Sequence, residues 1–195
     1  MYDDVRRYLK SAHPEPHPLL AELEEVQRKA DVHGVTRAVG RLLSTLVHAM
    51  QANRILEIGT AYGYATLWMA LAQPPMGKIW TFDPDVERTE VALRYFERAG
   101  EADYIEIVNQ PALEVLNVFP QRNMDIVFVD APRAEYRAYL DHGLPLLKLS
   151  GLLIFNGLLE GESTRAFHRT FLSHPDLDAT IIPLGGGLGL GARKR

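Results

Sequence analysis

The groups best placed for chemistry in this sequence are polar residues that close apolar runs. Ile55-Leu56-Glu57-Ile58 runs into Gly59 and then Gly63 within RILEIGTAYGY, KIWTFD closes on Asp83, MDIVFVD on Asp130 and SGLLIFN on Asn156. An apolar run that stops at glycine and leads into a helical pattern reads as a buried strand, a tight turn and a helix. Such a turn puts backbone N–H groups and a helix N-terminus at the carboxyl edge of a parallel sheet, where a nucleotide-like ligand can approach bare backbone. Asp83 stands about 20 residues beyond the turn, where a carboxylate can accept hydrogen bonds from both hydroxyls of a ribose. The same Asp83-Pro84-Asp85 also reads as an N-cap opening a helix. Asp83, Asp130 and Asn156 are expected to line one crevice. A carboxylate inside a buried strand is costly unless hydrogen-bonded, so Glu57 is expected to reach the end of the sheet and a partner there.

Other motifs read as structural. GTAYG is not the dinucleotide fingerprint G-x-G-x-x-G, because Ala61 stands at its second glycine, and this disfavours an NAD-dependent dehydrogenase. The run from Gly185 to Gly191 has no GK[ST] and no following helix, so it is a turn into a last strand. His13 and His17 sit among alternate prolines, with no helix to bring them together. His33, His48, His142, His168 and His174 form no ligand spacing, and of these His33, just before Gly34, is placed to reach the cleft.

The elements that must position these groups follow from periodicity. Residues 19–30 and 36–49 are amphipathic helices that cover a face or end of the sheet or serve a partner subunit. Residues 1–17 hold a short polar helix and an extended proline-rich connector. From residue 53 the chain alternates: strands at 53–58, 78–83, 103–109, 124–130 and 150–156, helices at 64–73, 85–99, 111–118, 134–147 and 162–173. Alternation of this kind forces a parallel sheet with right-handed crossovers and helices on both faces. A sixth strand at 179–183 and a seventh, antiparallel strand at 188–193 complete it. The expected organisation is one α/β domain over residues 1–195, with 1–50 as a helical cap or dimer segment and 51–195 as the core.

Composition sets outer bounds. With 47% hydrophobic and 24% charged residues the chain resembles ordinary globular proteins. No apolar run approaches the roughly 18 residues of a membrane span, and MYDDVRRYLK lacks the apolar stretch of a secretory signal. The absence of cysteine excludes disulfides, Cys-ligated zinc and thiol catalysis, and fits a cytoplasmic location. A net charge of −4 gives no reason for tight non-specific nucleic-acid binding; Arg193-Lys194-Arg195 is the one compact basic cluster, read as a solvated tail.

Taken in order, LEIGTAYGY, TFDPD, NQPALEVL, IVFVDAPRAEY, SGLLIFNGLL and PLGGGLGL resemble the S-adenosylmethionine-dependent O-methyltransferases of the catechol and caffeoyl-CoA type, from about Val35 to the end. The resemblance implies a Rossmann-like seven-stranded methyltransferase sheet, mostly parallel with an antiparallel last strand. It further implies S-adenosylmethionine as cofactor, a hydroxyl oxygen of a small molecule as acceptor, and a homodimer. Glu57, Gly59, Thr60 and Gly63 would hold the methionine portion of the cofactor, with Tyr62 and Ala65 in the same cofactor-binding stretch. Asp83 would bind the ribose, the backbone at Ala112 would meet the adenine, and Asp130 and Tyr139 would face the methionine amine. Gln110 stands where the family carries glycine.

Two departures bear on catalysis, which the resemblance would assign to Asp130, Arg133 and Asn156. Metal-dependent members hold a divalent cation with an Asp ending the fourth strand and an Asp-Asn pair after the fifth. Here Asp130 matches, but Asn156 and Gly157 replace the pair, so Asp130 and Asn156 are a poor set for Mg²⁺ or Ca²⁺ and weak metal binding or none is expected. Glu160 and Glu162 read as solvated loop residues. Arg133 replaces the lysine that can take the acceptor's proton; a guanidinium stays protonated, so Arg133 can orient an anionic acceptor or stabilise a phenolate, or serve as a surface or salt-bridge arginine. A cofactor-binding module without catalysis and a tRNA hydroxyl methyltransferase are the alternatives.

Overall fold

The computed structural model describes residues 8–9, 11–32 and 34–195. Residues 1–7, Lys10 and His33, with the start of the first expected helix, therefore lie outside the described residues; residues 8–9 and 11–12 are helical and 14–17 have no regular structure.

Helix α1 (Pro18–Lys29) opens on His17, whose Nδ1 accepts the Leu19 N–H at 3.3 Å, with proline in the first turn where no N–H is needed. Helix α2 (Arg37–Met50) opens on the Thr36 hydroxyl, which accepts from the Val39 N–H. The alternating region follows as β1 (Arg54–Ile58), α3 (Tyr64–Ala70), β2 (Lys78–Phe82), α4 (Val86–Ala99), β3 (Ile105–Val108), α5 (Ala112–Leu116), β4 (Met124–Val129), α6 (Tyr136–Gly143), β5 (Leu147–Phe155), α7 (Ser163–Leu172), β6 (Leu177–Ile182) and β7 (Leu188–Arg193). The seven strands form one sheet in the order β3-β2-β1-β4-β5-β7-β6. Pairings among β1 to β5 are parallel, and β7 is antiparallel to both β5 and β6. The order reverses between β1 and β4, and ligands of open α/β sheets bind at the carboxyl ends of strands beside such a reversal.

Successive residues of each strand serve opposite faces. Ile55, Ile126 and Phe128 join the core under α1 to α4, while Leu56, Val127 and Val129 join the core under α5 to α7. That explains the near-continuous apolar strands. Helices α1 and α2 cover a face of the sheet: Leu20, Leu23, Leu43 and Val47 are buried against Tyr64, Leu67 and Trp68. Gly40 lies against the Trp68 indole so closely that a Cβ there would collide with it.

From residue 18 onward the expected elements form, with several boundaries corrected. Helix α6 stops at Gly143 rather than 147 because Pro145 cannot continue it; a 3₁₀ turn, Leu144–Leu146, leads into a longer β5. The early part of β5 pairs through Leu147 with Met124 before an irregularity in register. Helix α3 ends at Ala70, ahead of Pro74-Pro75, since a residue before proline is pushed from helical geometry. Residues Ala102–Tyr104 form a 3₁₀ turn, so β3 begins only at Ile105.

At the edge of the sheet opposite the glycine turn, the buried carboxylate of Asp125 accepts the N–H groups of Asn53 and Arg54 at 2.9 and 2.8 Å and pairs with Lys148. One side chain thus ties the starts of β1, β4 and β5. Replacing Asp125 by alanine strands two N–H donors and an ammonium, and is expected to cost about 3 kcal/mol of stability in urea unfolding, with Asp125→Asn costing less.

Candidate active site

A cleft of about 670 Å³ opens at the carboxyl ends of β1, β2 and β4, a size typical of small-molecule sites. Its walls include Gly59, Thr60, Ala61 and Ala65 from the glycine turn, Asp83 after β2, Ala112 at the start of α5, Asp130 and Arg133 after β4, and Tyr139 of α6. The sequence-derived set is therefore largely brought together. Four of its members stand elsewhere: Glu57, Tyr62, Gly63 and Asn156 are not on the cleft wall.

Gly63 caps α3 at φ 82°, its N–H donating to the Thr60 carbonyl at 2.8 Å, and a Cβ there would meet the Phe96 ring at 2.6 Å. It shapes the turn from behind. Gly59, at φ 99°, sits so close to the Asp130 carbonyl that a Cβ would collide with it, bringing the turn onto the end of β4. Tyr62 packs partly buried against the core under α1 to α4.

Glu57 is wholly buried and finds its partners in the helix above it and the strand beside it rather than at the end of the sheet, which corrects the expectation. Its Oε2 accepts from Thr66 of α3 and from Thr81 of β2 at 2.5 and 2.6 Å. The Thr81 hydroxyl is 2.6 Å from that of Thr60, on the cleft wall, so Glu57 acts on the cleft through two threonines. Among the described residues its Oε1 has no partner. Burial pushes its carboxyl up to about 8, with the two threonine hydrogen bonds opposing the shift.

Asp83 joins two loops. Its Oδ2 accepts the Ala61 N–H at 2.7 Å and its Oδ1 the Asp85 N–H at 3.0 Å. The N-cap of α4 is Asp85, which accepts the Arg88 N–H, so the capping role falls to the acid two residues after Asp83. Each oxygen of Asp83 keeps further lone-pair capacity toward the cleft.

Asn156 lies behind Asp130, buried, its Nδ2 donating to Asp130 Oδ1 at 3.0 Å and its Oδ1 without a partner among the described residues. Its backbone carbonyl accepts the Tyr136 hydroxyl at 2.6 Å. Burial raises the Asp130 carboxyl above its ordinary range, offset by the Asn156 hydrogen bond and the charge of Arg133. The metal expectation at Asp130 and Asn156 meets a donor set unsuited to it: the amide turns an N–H toward the carboxylate, and Gly157 offers no side chain. Hard cations want several oxygen ligands, and among the described residues no group of three or more His, Asp or Glu side chains could hold one. Arg133 pairs with Glu160, which is exposed as expected but not unpartnered, and Glu162, 91% exposed, pairs with Arg165 at 3.7 Å.

Several residues of the site carry no motif of their own. The Tyr64 hydroxyl donates to Glu24 of α1 at 2.5 Å, and Glu24 pairs with Arg37 at 2.6 Å, which fastens the N-terminal helices to the turn. Tyr139 donates to Glu135, an i,i+4 pair that helical spacing could have flagged. Burial raises the hydroxyls of Tyr64, Tyr136 and Tyr139. Among the described residues, the charged groups on the wall are Asp83, Asp85, Asp130 and Glu135 against Arg88 and Arg133, four acids to two bases. Such a wall suits a cationic ligand better than a pyrophosphate. Of the C-terminal cations, Arg193 donates to backbone carbonyls including that of Leu147, and Arg195 bonds Asp176 at 2.8 Å. Among the described residues no helix is long and apolar enough to cross a membrane.

A family model described as O-methyltransferase matches residues 10–193. The chain belongs to the O-methyltransferase family. It is 32% identical over 200 residues to a catechol O-methyltransferase of Mycobacterium tuberculosis, covering 95% of this chain and 91% of that one. It is 34% identical over 160 residues to a caffeoyl-CoA O-methyltransferase of Populus kitakamiensis, covering 78% and 68%. The crystal structure of an O-methyltransferase from Streptomyces achromogenes, in complex with SAM, superposes with a TM-score of 0.87 at 26% identity, covering 98% of this chain and 96% of that one.

The buried carboxyl of this family member has a testable signature. A folded-state value near 8 against 4.5 for the free group means that the folded protein binds the extra proton, so stability declines as pH rises from about 4.5 through 8. Glu57→Gln, neutral at every pH, is expected to flatten that decline in thermal unfolding measured across the interval, and to stabilise the protein most at the alkaline end.

Proposed function

We propose that this protein transfers the methyl group of S-adenosylmethionine to a hydroxyl oxygen of a small phenolic molecule, with little or no dependence on a divalent metal. The observation that carries the reading is Asp83, whose carboxylate joins the glycine turn to the next loop at the mouth of a cleft rich in acids. The residues present fit the cofactor. Asp83 has acceptor capacity for two ribose hydroxyls, Ala112 and Leu113 offer an apolar wall for adenine, and the turn around Thr60 brings backbone close to the methionine portion. Asp130, Glu135 and Tyr139 face the end where a cationic centre would sit.

S-adenosylmethionine supplies an electrophilic methyl carbon on a sulfonium. The remaining requirement is alignment of an oxygen nucleophile with that carbon and loss of one proton. Tyr136 and Asn156 steady Asp130 from behind, and Arg133 is the cation on the side where an acceptor would enter. Names of the relatives, catechol and caffeoyl-CoA O-methyltransferase, support a phenolic acceptor. The reading extends to a homodimer, which the sequence resemblance implies, in the cytoplasm, which the absence of cysteine fits.

Asp83→Ala is expected to weaken S-adenosylhomocysteine binding by about tenfold or more in calorimetric titration, since hydrogen bonds to a charged group contribute about 1.5 to 3 kcal/mol each. Tight binding of NAD with no response to S-adenosylhomocysteine would refute the proposal.

A further inference from the structure

The two departures at the catalytic positions are structurally one feature. The Arg133 guanidinium lies where a side chain at position 157 would begin: a Cβ on Gly157 would stand 3.0 Å from Nη2 and 3.1 Å from Nε. Gly157 has φ 73°, a conformation open to glycine and asparagine but strained for most residues. On its other side the guanidinium pairs with Glu160. Glu160 in turn lies over Gly186, where a Cβ would collide with its carboxylate. The loop carrying Glu160 is held to the turn before β7 by the Leu158 and Leu159 N–H groups, which donate to the Gly187 and Gly186 carbonyls at 2.9 and 2.8 Å. Two glycines thus make room for the two members of an ion pair, of which Arg133 stands on the cleft wall with Asp130, and both charges act on the Asp130 carboxyl.

We propose that the Arg133 guanidinium takes the place of a divalent cation in this site, holding the acceptor oxygen as a phenolate, and that the acceptors are phenols acidic enough to ionise near neutrality. This rests on the methyl-transfer reading above and adds to it the catalytic residue and the acceptor class. Glu160 engages Nη2 of the guanidinium, and the fork keeps further N–H donors for an oxyanion. Arg133 cannot take a proton, Glu160 is committed to Arg133, Glu135 accepts from Tyr139, and Asp130 accepts from Asn156 and faces the cationic end of the cleft. The acceptor's proton therefore leaves to solvent when the phenol ionises on binding. An oxygen lone pair then forms the new bond to the methyl carbon as the carbon–sulfur bond breaks, with its electron pair going to the neutral thioether. Donors aimed at an oxyanion are among the strongest catalytic contributions a site can make.

The test uses the whole protein saturated with S-adenosylhomocysteine, in EDTA, with 4-nitrocatechol as probe and its phenolate absorbance followed against pH. The apparent pKa of the bound probe is expected to fall by about one unit or more, as for an oxygen acid beside a fixed cation. The shift should be lost in Arg133→Ala, retained in part in Arg133→Lys, and partly restored to Arg133→Ala by added guanidinium chloride. With a methylatable acidic phenol, Arg133→Ala is expected to lower kcat about 100-fold while S-adenosylhomocysteine affinity is unchanged. Absence of probe binding, an unshifted probe in the wild-type protein, a shift that appears only with Mg²⁺, or a shift that survives in Arg133→Ala would each overturn the inference while leaving cofactor binding intact. Absence of S-adenosylhomocysteine binding would remove the proposed function together with it.

Discussion

A carboxyl group sealed inside a parallel sheet is the constraint on which the cofactor half of this molecule depends. Glu57 has no access to water, so its hydrogen bonds must come from within, and they come from a helix and a neighbouring strand. Thr66 fixes the first turn of α3 against β1, and Thr81 fixes β2 beside it. Through Thr81 the contact reaches Thr60 on the cleft wall. An unsatisfied buried polar group costs more than a hydrogen bond contributes, so this arrangement has few alternatives of comparable energy. The turn that meets the ligand is therefore held from beneath before any ligand arrives.

The same logic runs from the other side through Asp83. Its two oxygens accept N–H groups from two separate loops, so one carboxylate sets their spacing while remaining on the cleft wall. The excess of acids there favours a cationic ligand and opposes a diphosphate, which agrees with the missing glycine at Ala61. Fold and charge thus select a ligand class together. The N-terminal helices belong to this arrangement too, because Glu24 ties Tyr64 to Arg37 at the margin of the cleft.

The acceptor half follows a different principle. Where several oxygen donors would be needed to hold a hard cation, Asn156 turns its amide nitrogen toward Asp130, and the space at Gly157 belongs to a guanidinium. A guanidinium is a permanent charge with a planar set of donors, so it needs a fixed counterion rather than a ligand shell. Glu160 is that counterion, and the turn at Gly186 and Gly187 is what holds it in place.

Periodicity alone determined the order and type of the elements, because a doubly covered sheet demands apolar strands and its helices demand an apolar stripe. The polar strand ends Asp83 and Asp130 were legible for the same reason: strands run parallel, so their carboxyl ends meet at one edge. Boundaries slipped where a local breaker overrode the pattern, as Pro145 does after α6. Partnerships between distant residues were not legible. Glu57 and Thr81 are 24 residues apart, and Arg133 and Glu160 are 27 apart. Whether such residues meet depends on strand register and loop packing, which no local spacing encodes. Tertiary structure therefore decided that Glu57 finds its partners within the core, that Asn156 stands behind Asp130 rather than on the cleft wall, and that Arg133, though exposed, is an ion-paired cation beside Asp130.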